Sequence, residues 1–203
     1  MSDPAIDLPI IVLAAGQSRR MGRDKLLLEI NGVPLVRRQA KIARSVTQGP
    51  VIVAVPPFPH ARYAALEGLD VTVLPVKDAA EGMGASLRAA FAALPPDAVA
   101  AMVLLSDLPD LQEEDLRSVA QAVDLNSDIL IWRGATQDGK PGHPAVFAAS
   151  LFPKFQGILG DNGGEKVAAE AMPHIKLIPL PGNRARRDLD TPEDWAAWQS
   201  QSS

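Results

Sequence analysis

No cysteine occurs among the 203 residues, which excludes disulfides, thiolate metal sites and thiol nucleophiles and suits a reducing compartment. There is no excess of basic charge: 20 Lys+Arg stand against 24 Asp+Glu, a formal net charge of −4 at pH 7. Nucleic-acid-binding domains usually carry a net basic footprint, so no nucleic-acid partner is expected. Long hydrophobic runs are missing too. The first, over 8–15, is too short to span a bilayer and leads straight into Arg19-Arg20, so no membrane partner is expected. The opening Met1-Ser2-Asp3-Pro4 lacks the basic start of a secretory signal, and the expectation is a soluble cytoplasmic protein. Internal repeats and low-complexity tracts are absent, and no Ser-His-Asp or Cys-His set suggests nucleophilic catalysis.

What is present is an apolar chain, 47% hydrophobic, long enough for a sizeable core and read as one domain over 1–203. Short Val- and Ile-rich runs recur over 9–14, 51–55, 71–74, 100–105, 128–132, 145–148 and 175–180. Their apolar character is continuous rather than alternating, as in strands covered on both faces. Helical periodicity fills 35–43, 61–66, 85–94, 113–123, 165–172 and 192–198. Thr191-Pro192 marks one helix start. Asp110 or Gln112, before Glu113-Glu114-Asp115, marks another; as a capping aspartate Asp110 suits better than Asp107. The alternation predicts a three-layer α/β/α fold with a mostly parallel, Rossmann-like sheet. The glycine-bearing stretch 133–164 has little periodicity and is expected to hold an antiparallel excursion or a lid.

The segment from Leu13 to Leu35, LAAGQSRRMGRDKLLLEINGVPL, is the most informative. A buried strand ends at Ala14-Ala15-Gly16, and ligands of open α/β sheets bind beyond the carboxyl ends of strands. Small residues there let the backbone approach a phosphate or base, while Arg19, Arg20, Arg23 and Lys25 supply four cations within seven residues. The Walker spacing fails, because Gly22-Arg23-Asp24-Lys25 lacks Gly-Lys-Ser/Thr, and the three close glycines of a dinucleotide fingerprint are missing. On composition alone, a solvated basic loop stays open as the alternative.

Asp107 ends the apolar run AMVLLSD before Leu108-Pro109 turns the chain. A carboxylate at a strand's carboxyl end, facing a phosphate loop, is a natural Mg²⁺ ligand, because hard cations prefer oxygen. A turn or capping aspartate is the competing reading. Asp190 lies just outside the helix that starts at Thr191-Pro192, and a capping role is equally open for it. Glu193 and Asp194 read as ordinary first-turn charges. Gly82-Met83-Gly84-Ala85-Ser86 is a second glycine turn feeding a helix, with a hydroxyl able to read a base edge.

These strings together resemble the nucleotidyltransferases that use an NTP and release pyrophosphate. The first is similar to their L-A-[AG]-G-x-[SG]-x-R-[ML]-G-x-x-K-x-L signature, and Ala15 is more like the molybdenum cofactor cytidylyltransferase branch than the guanylyltransferase branch, which has glycine there. The resemblance covers nearly the whole chain and implies a nucleotide-diphospho-sugar transferase type of fold. It implies that Ala14, Ala15, Gly16, Arg20 and Lys25 bind the triphosphate and that Leu13 belongs to the nucleotide site; Arg19 and Arg23 rank below them, as solvent-facing charges. It also implies that Asp107 and Asp190 hold Mg²⁺ with Asp188 in support, and that Gly82, Met83 and Ser86 border the base. Lys25, Arg20 and Asp107 would carry catalysis. Gly142-His143-Pro144 is similar to the acceptor-side motif, which implies an acceptor contact for His143. Gly160-Asp161-Asn162-Gly163-Gly164-Glu165-Lys166 departs from the G-D-x-G-A-R of relatives: Asp161 keeps the acceptor role, but Lys166 replaces the arginine and Glu165 is new. Implied partners are an NTP, CTP before GTP, and molybdopterin or molybdenum cofactor, or another phosphorylated small molecule such as a sugar or polyol phosphate. A molybdenum hydroxylase or its chaperone would receive the product. A non-catalytic nucleotide-binding module is the alternative of another class.

Overall fold

The computed structural model describes residues 7–160 and 163–202. The chain runs through β1 (Ile10–Leu13), β2 (Glu29–Ile30), β3 (Val33–Pro34), α1 (Leu35–Val46), β4 (Val51–Val55), α2 (Ala61–Leu66), β5 (Thr72–Pro75) and α3 (Met83–Ala92). It continues through β6 (Ala100–Leu105), α4 (Glu113–Gln121), β7 (Ile131–Ala135), β8 (Pro141–Ala148), α5 (Phe152–Phe155), α6 (Gly163–Glu170), β9 (Ile175–Pro179) and α7 (Pro192–Ser202). Seven strands form one sheet in the order β5-β4-β1-β6-β8-β7-β9, while β2 and β3 pair separately.

Side chains alternate along each strand, and both faces are apolar. Ile10 and Val12 of β1 join Met102, Leu104, Leu35, Leu116, Trp195 and Trp198 on one side. Ile11 and Leu13 join Val103, Leu87, Phe91, Phe155 and Val167 on the other. Helices therefore cover both faces, which is why the strands read as unbroken apolar runs. Each fully buried large apolar side chain contributes about 1.5–3 kcal/mol.

The pairs β5–β4, β4–β1, β1–β6 and β7–β9 are parallel, and β8 runs antiparallel to both β6 and β7. The excursion expected in 133–164 is this reversal. Only residues 136–140 join β7 to β8, and so short a link allows only antiparallel pairing. β8 begins at Pro141 rather than 145, and β7 lies three residues beyond the expected 128–132. Pro141-Gly142-His143-Pro144 reads as a loop by propensity. It extends because the chain there is clasped from outside the sheet: the His143 N–H donates to Ala185 O at 2.8 Å, and a Cβ on Gly142 would lie 2.2 Å from that same oxygen. The β2–β3 hairpin was not anticipated. Its turn is Asn31-Gly32, both at positive φ (53° and 74°), as a primed two-residue hairpin turn requires.

Of the two candidates for the start of α4, Gln112 is the cap, with its N–H donating to Asp115 Oδ2 at 3.0 Å. Asp110 accepts from Trp198 Nε1 at 2.7 Å, which fastens α7 to the loop between β6 and α4. Asp194 is more than a first-turn charge, since it accepts from both the N–H and the hydroxyl of Thr191. No helix among the described residues is long and apolar enough to cross a membrane.

Candidate active site

Beyond the carboxyl ends of β1 and β6 lies a cavity of about 400 Å³. Its floor is the loop that follows β1. The Ala14 N–H still donates to Ala54 O (2.8 Å), whereas the N–H groups of residues 15–18 have no carbonyl partner among the described residues. A Cβ on Gly16 would meet nothing within 4 Å, so the missing side chain leaves free approach to the backbone. Ser18, at φ 52°, and Gly22, at φ 70°, fold the chain back on itself in the left-handed region. The tight helical turn between them, Arg19–Met21, buries Met21 and turns Arg20 towards Asp190. A second tight turn, Lys25–Leu27, is capped by Asp24 through the Leu26 N–H (3.0 Å).

One residue that holds this loop was not legible beforehand. Arg62 of α2 is 1% exposed, and its guanidinium reaches Ala14 O (2.5 Å), Gly16 O (2.8 Å) and both oxygens of Asp24 (2.7 and 2.9 Å). It thereby joins the glycine turn to the cap that positions Lys25. No local pattern marks it, because its partners lie 38–48 residues away. Breaking a buried ion pair strands its partner charge, so Arg62→Ala is expected to cost about 3–5 kcal/mol in denaturant unfolding. A cost under about 1 kcal/mol would show that the guanidinium does not hold the loop.

The two acids meet here. Ser106 ties the end of β6 to β1, with both its N–H and its hydroxyl on Leu13 O (3.3 and 2.6 Å). The buried Gln39 amide of α1 holds Leu108 O at 2.7 Å. The Leu189 N–H donates to Asp107 O at 3.2 Å, and this bond carries the 188–190 segment across to the first acid. Lys25 Nζ then lies 2.7 Å from Asp107 Oδ2 and 2.7 Å from Asp190 Oδ1, and Arg20 pairs with Asp190 Oδ2. Burial works against the Lys25 ammonium, but Asp107 and Asp190 outweigh it, so its pKa is raised above 10.5. Asp188 is a third carboxyl within electrostatic reach, pushed up by burial and then by Asp190 and Asp107.

Asp107 Oδ1 is buried without any hydrogen-bond partner. An orphaned carboxylate oxygen, on an acid that shares Lys25 with a second carboxylate, is what a hard divalent cation would take up. No group of three or more His, Asp or Glu able to hold a metal occurs among the described residues. Mg²⁺ needs only one or two carboxylates from a protein, its shell being completed by substrate phosphates and water.

Leu13, Ala15, Gly16, Arg20, Lys25, Asp107 and Asp190 line the cavity, with Gly82, Met83 and Ser86 on its opposite wall at the N-terminus of α3. Ala14 does not: its backbone is taken by Ala54 and Arg62, so it supports the loop from behind. Arg19, expected to face solvent, also lines the cavity. His143 stands half-buried near the start of β8, outside this lining, with Nδ1 3.4 Å from Val103 O. Burial and then the Arg133 charge push its imidazole down to about 4, so it is neutral at pH 7. Asp161 lies outside the described residues. Glu165 pairs with Arg133, a residue the sequence did not single out. His60, given no role, caps α2 through the Arg62 N–H (3.3 Å).

Comparison with known proteins places this geometry. Residues 10–175 match the family described as MobA-like NTP transferase domain. The chain is 29% identical over 190 residues to the probable molybdenum cofactor guanylyltransferase of Synechococcus elongatus, covering 93% of this chain and 96% of that one. It is 33% identical over 150 residues to the molybdenum cofactor guanylyltransferase of Rhodobacter capsulatus, covering 68% and 74% respectively. Among solved structures it resembles Rv0371c from Mycobacterium tuberculosis H37Rv, with a TM-score of 0.77, 27% identity, and 96% and 98% of the two chains covered. That protein has also been solved in complex with manganese.

Proposed function

The chain belongs to the family of MobA-like NTP transferase domains, and from that premise we propose that it moves a nucleoside monophosphate from an NTP to a phosphorylated acceptor, releasing pyrophosphate. The acceptor is molybdenum cofactor, and the whole chain acts as one nucleotidyltransferase domain in the cytoplasm. The observation that carries this reading is the bridge of Lys25 between Asp107 and Asp190 beside an orphaned Asp107 oxygen. A protein that only bound nucleotides would have no need of that arrangement.

The loop N–H groups of 15–18, with Arg20 and Lys25, receive the triphosphate. Gly82, Met83 and Ser86 face the base. Asp107 and Asp190 would hold Mg²⁺, which would supply neutralisation of the triphosphate charge. An acceptor phosphate oxygen attacks the α-phosphorus in line with the departing pyrophosphate. This nucleophile is anionic at neutral pH, so no general base is required. Lys25 and Arg20 stabilise the charge that develops on the leaving group, and catalysis rests on positioning and electrostatics.

CTP is the proposed donor. Ala15, which lines the cavity, stands at the position where the guanylyltransferase branch has glycine. GTP is the second reading, favoured by the names of the curated relatives. Pyrophosphate release measured with each NTP, molybdenum cofactor and Mg²⁺ or Mn²⁺ is expected to be fastest with CTP. Release with GTP alone would select the second reading, and release only with a sugar or polyol phosphate would replace the acceptor.

A further inference from the structure

Arg133 sits on β7 with its side chain 11% exposed, and its Nε donates to Gly142 O at 2.7 Å. That bond fixes one edge of the guanidinium and turns the other outward. The outward fork meets Glu165 at 2.6 and 3.3 Å, but the Glu165 side chain is 69% exposed and comes from the first turn of α6. The pair is thus unequal: an anchored cation held by the sheet and a carboxylate free to swing into solvent.

Two further groups converge on it. His143 follows Gly142 and lies within electrostatic reach of Arg133, Glu165 and Asp107. Arg186 is strapped to the start of β8 by its bond to Pro141 O (2.9 Å). The Glu165 carboxyl is held below its usual range first by the Arg133 hydrogen bond, with partial burial opposing, and further by the charges of Arg133 and Arg186.

We infer that Arg133, with Arg186 and His143 beside it, forms an anion site for a phosphate monoester of the acceptor, and that Glu165 occupies it as a displaceable internal stand-in. A nearly buried guanidinium left unpaired would be costly, so some anion must face it at all times. Its planar fork accepts carboxylate and phosphate oxygens in the same two-pronged way. A phosphate dianion would also engage Arg186, which makes no ion pair within hydrogen-bonding distance among the described residues. His143, whose Nδ1–H faces Val103 O at 3.4 Å, lines the site as a neutral ring and adds no competing charge. This supplies the guanidinium that Lys166 no longer offers in the Gly160–Lys166 string. The inference rests on the nucleotidyl-transfer reading for the identity of the ligand but not for the existence of the site.

The test is equilibrium binding to the full chain, followed by ¹⁵N NMR with phenyl phosphate as probe and neither nucleotide nor metal present. Saturable shifts are expected at Gly142, His143 and the Arg133 Nε–H. Glu165→Gln removes the competing charge and is expected to tighten this binding about tenfold, the value of one charge-assisted contact. Shifts confined to residues 15–25, or a Glu165→Gln affinity equal to or weaker than wild type, would overturn the site. Arg133→Lys is expected to weaken binding about tenfold. Because Glu165 is exposed, Glu165→Gln keeps the question answerable if the arginine variant does not fold. A site that behaves this way in a protein releasing no pyrophosphate from any NTP would instead sink the nucleotidyl-transfer reading and leave the anion site standing.

Discussion

Asp107→Asn is expected to lower turnover by about 10³-fold, or roughly 4 kcal/mol in the barrier, while the thermal midpoint stays close to that of wild type. The substitution preserves shape and removes only charge. Nothing in the fold depends on Asp107 Oδ1, which has no partner, and the Leu189 bond that gathers the site is made to the backbone carbonyl. Lys25 keeps Asp190 at 2.7 Å. What disappears is half of the anionic pair on which a divalent ion would sit. Single-turnover pyrophosphate release alongside a thermal melt separates the two effects. Activity within tenfold of wild type would remove Asp107 from the metal site, and a large fall in the midpoint would make it a structural residue.

Lys25→Met should cost about 10²–10³ in rate, the range for deleting one preorganised electrostatic contact to the developing charge. Methionine keeps an unbranched stem, so the loss reports the ammonium. A second signature is specific to the bridge. Without Lys25, Asp107 and Asp190 face each other with Asp188 close by, and like charges destabilise the folded state. The midpoint of Lys25→Met should therefore fall in chelator and recover when Mg²⁺ or Mn²⁺ is added, by a larger margin than in wild type. Equal metal-induced shifts in the two proteins would argue against the bridge. The wild-type pair also has a pH signature. Because the folded-state pKa of Lys25 is raised above 10.5, its stabilisation is complete below that value and is lost as pH rises through the folded pKa.

Much of this was legible beforehand where the chemistry is local. The apolar run over 100–105 ending at Asp107 announced both a buried strand and an acid at its exit. The glycine–arginine–lysine loop announced an anion site, and helix α2 was placed to the residue. Asp190 was a different matter, since its own neighbourhood equally suits a cap; the family string brought it to the site, and the Leu189–Asp107 bond explains how the fold does so. Long-range clasps were illegible. Arg62 looks like a surface helix residue until its partners on the loop are known, and Arg133 looks like a polar break in a strand. Pro141–Pro144 failed for a related reason: propensity describes an isolated segment, whereas this one is extended by a backbone bond from Ala185. Ala14 was given a ligand-facing role because it belongs to the motif, yet the sheet and Arg62 had already taken its N–H and carbonyl.

The reversal of β8 means that the rim of the crevice is made by strands of opposite polarity. Asp107 is delivered where β6 leaves the sheet, His143 where β8 enters it. The half proposed to take the nucleotide and the half proposed for the acceptor thus hang from separate connections. The Thr136–Lys140 turn leaves the carboxyl end of β7, on the same edge of the sheet as the β1 loop but with β8 and β6 between them, so lengthening or shortening it can remodel one pocket while the other keeps its scaffold. Recombination of donor and acceptor preferences within this architecture needs no change in the sheet itself.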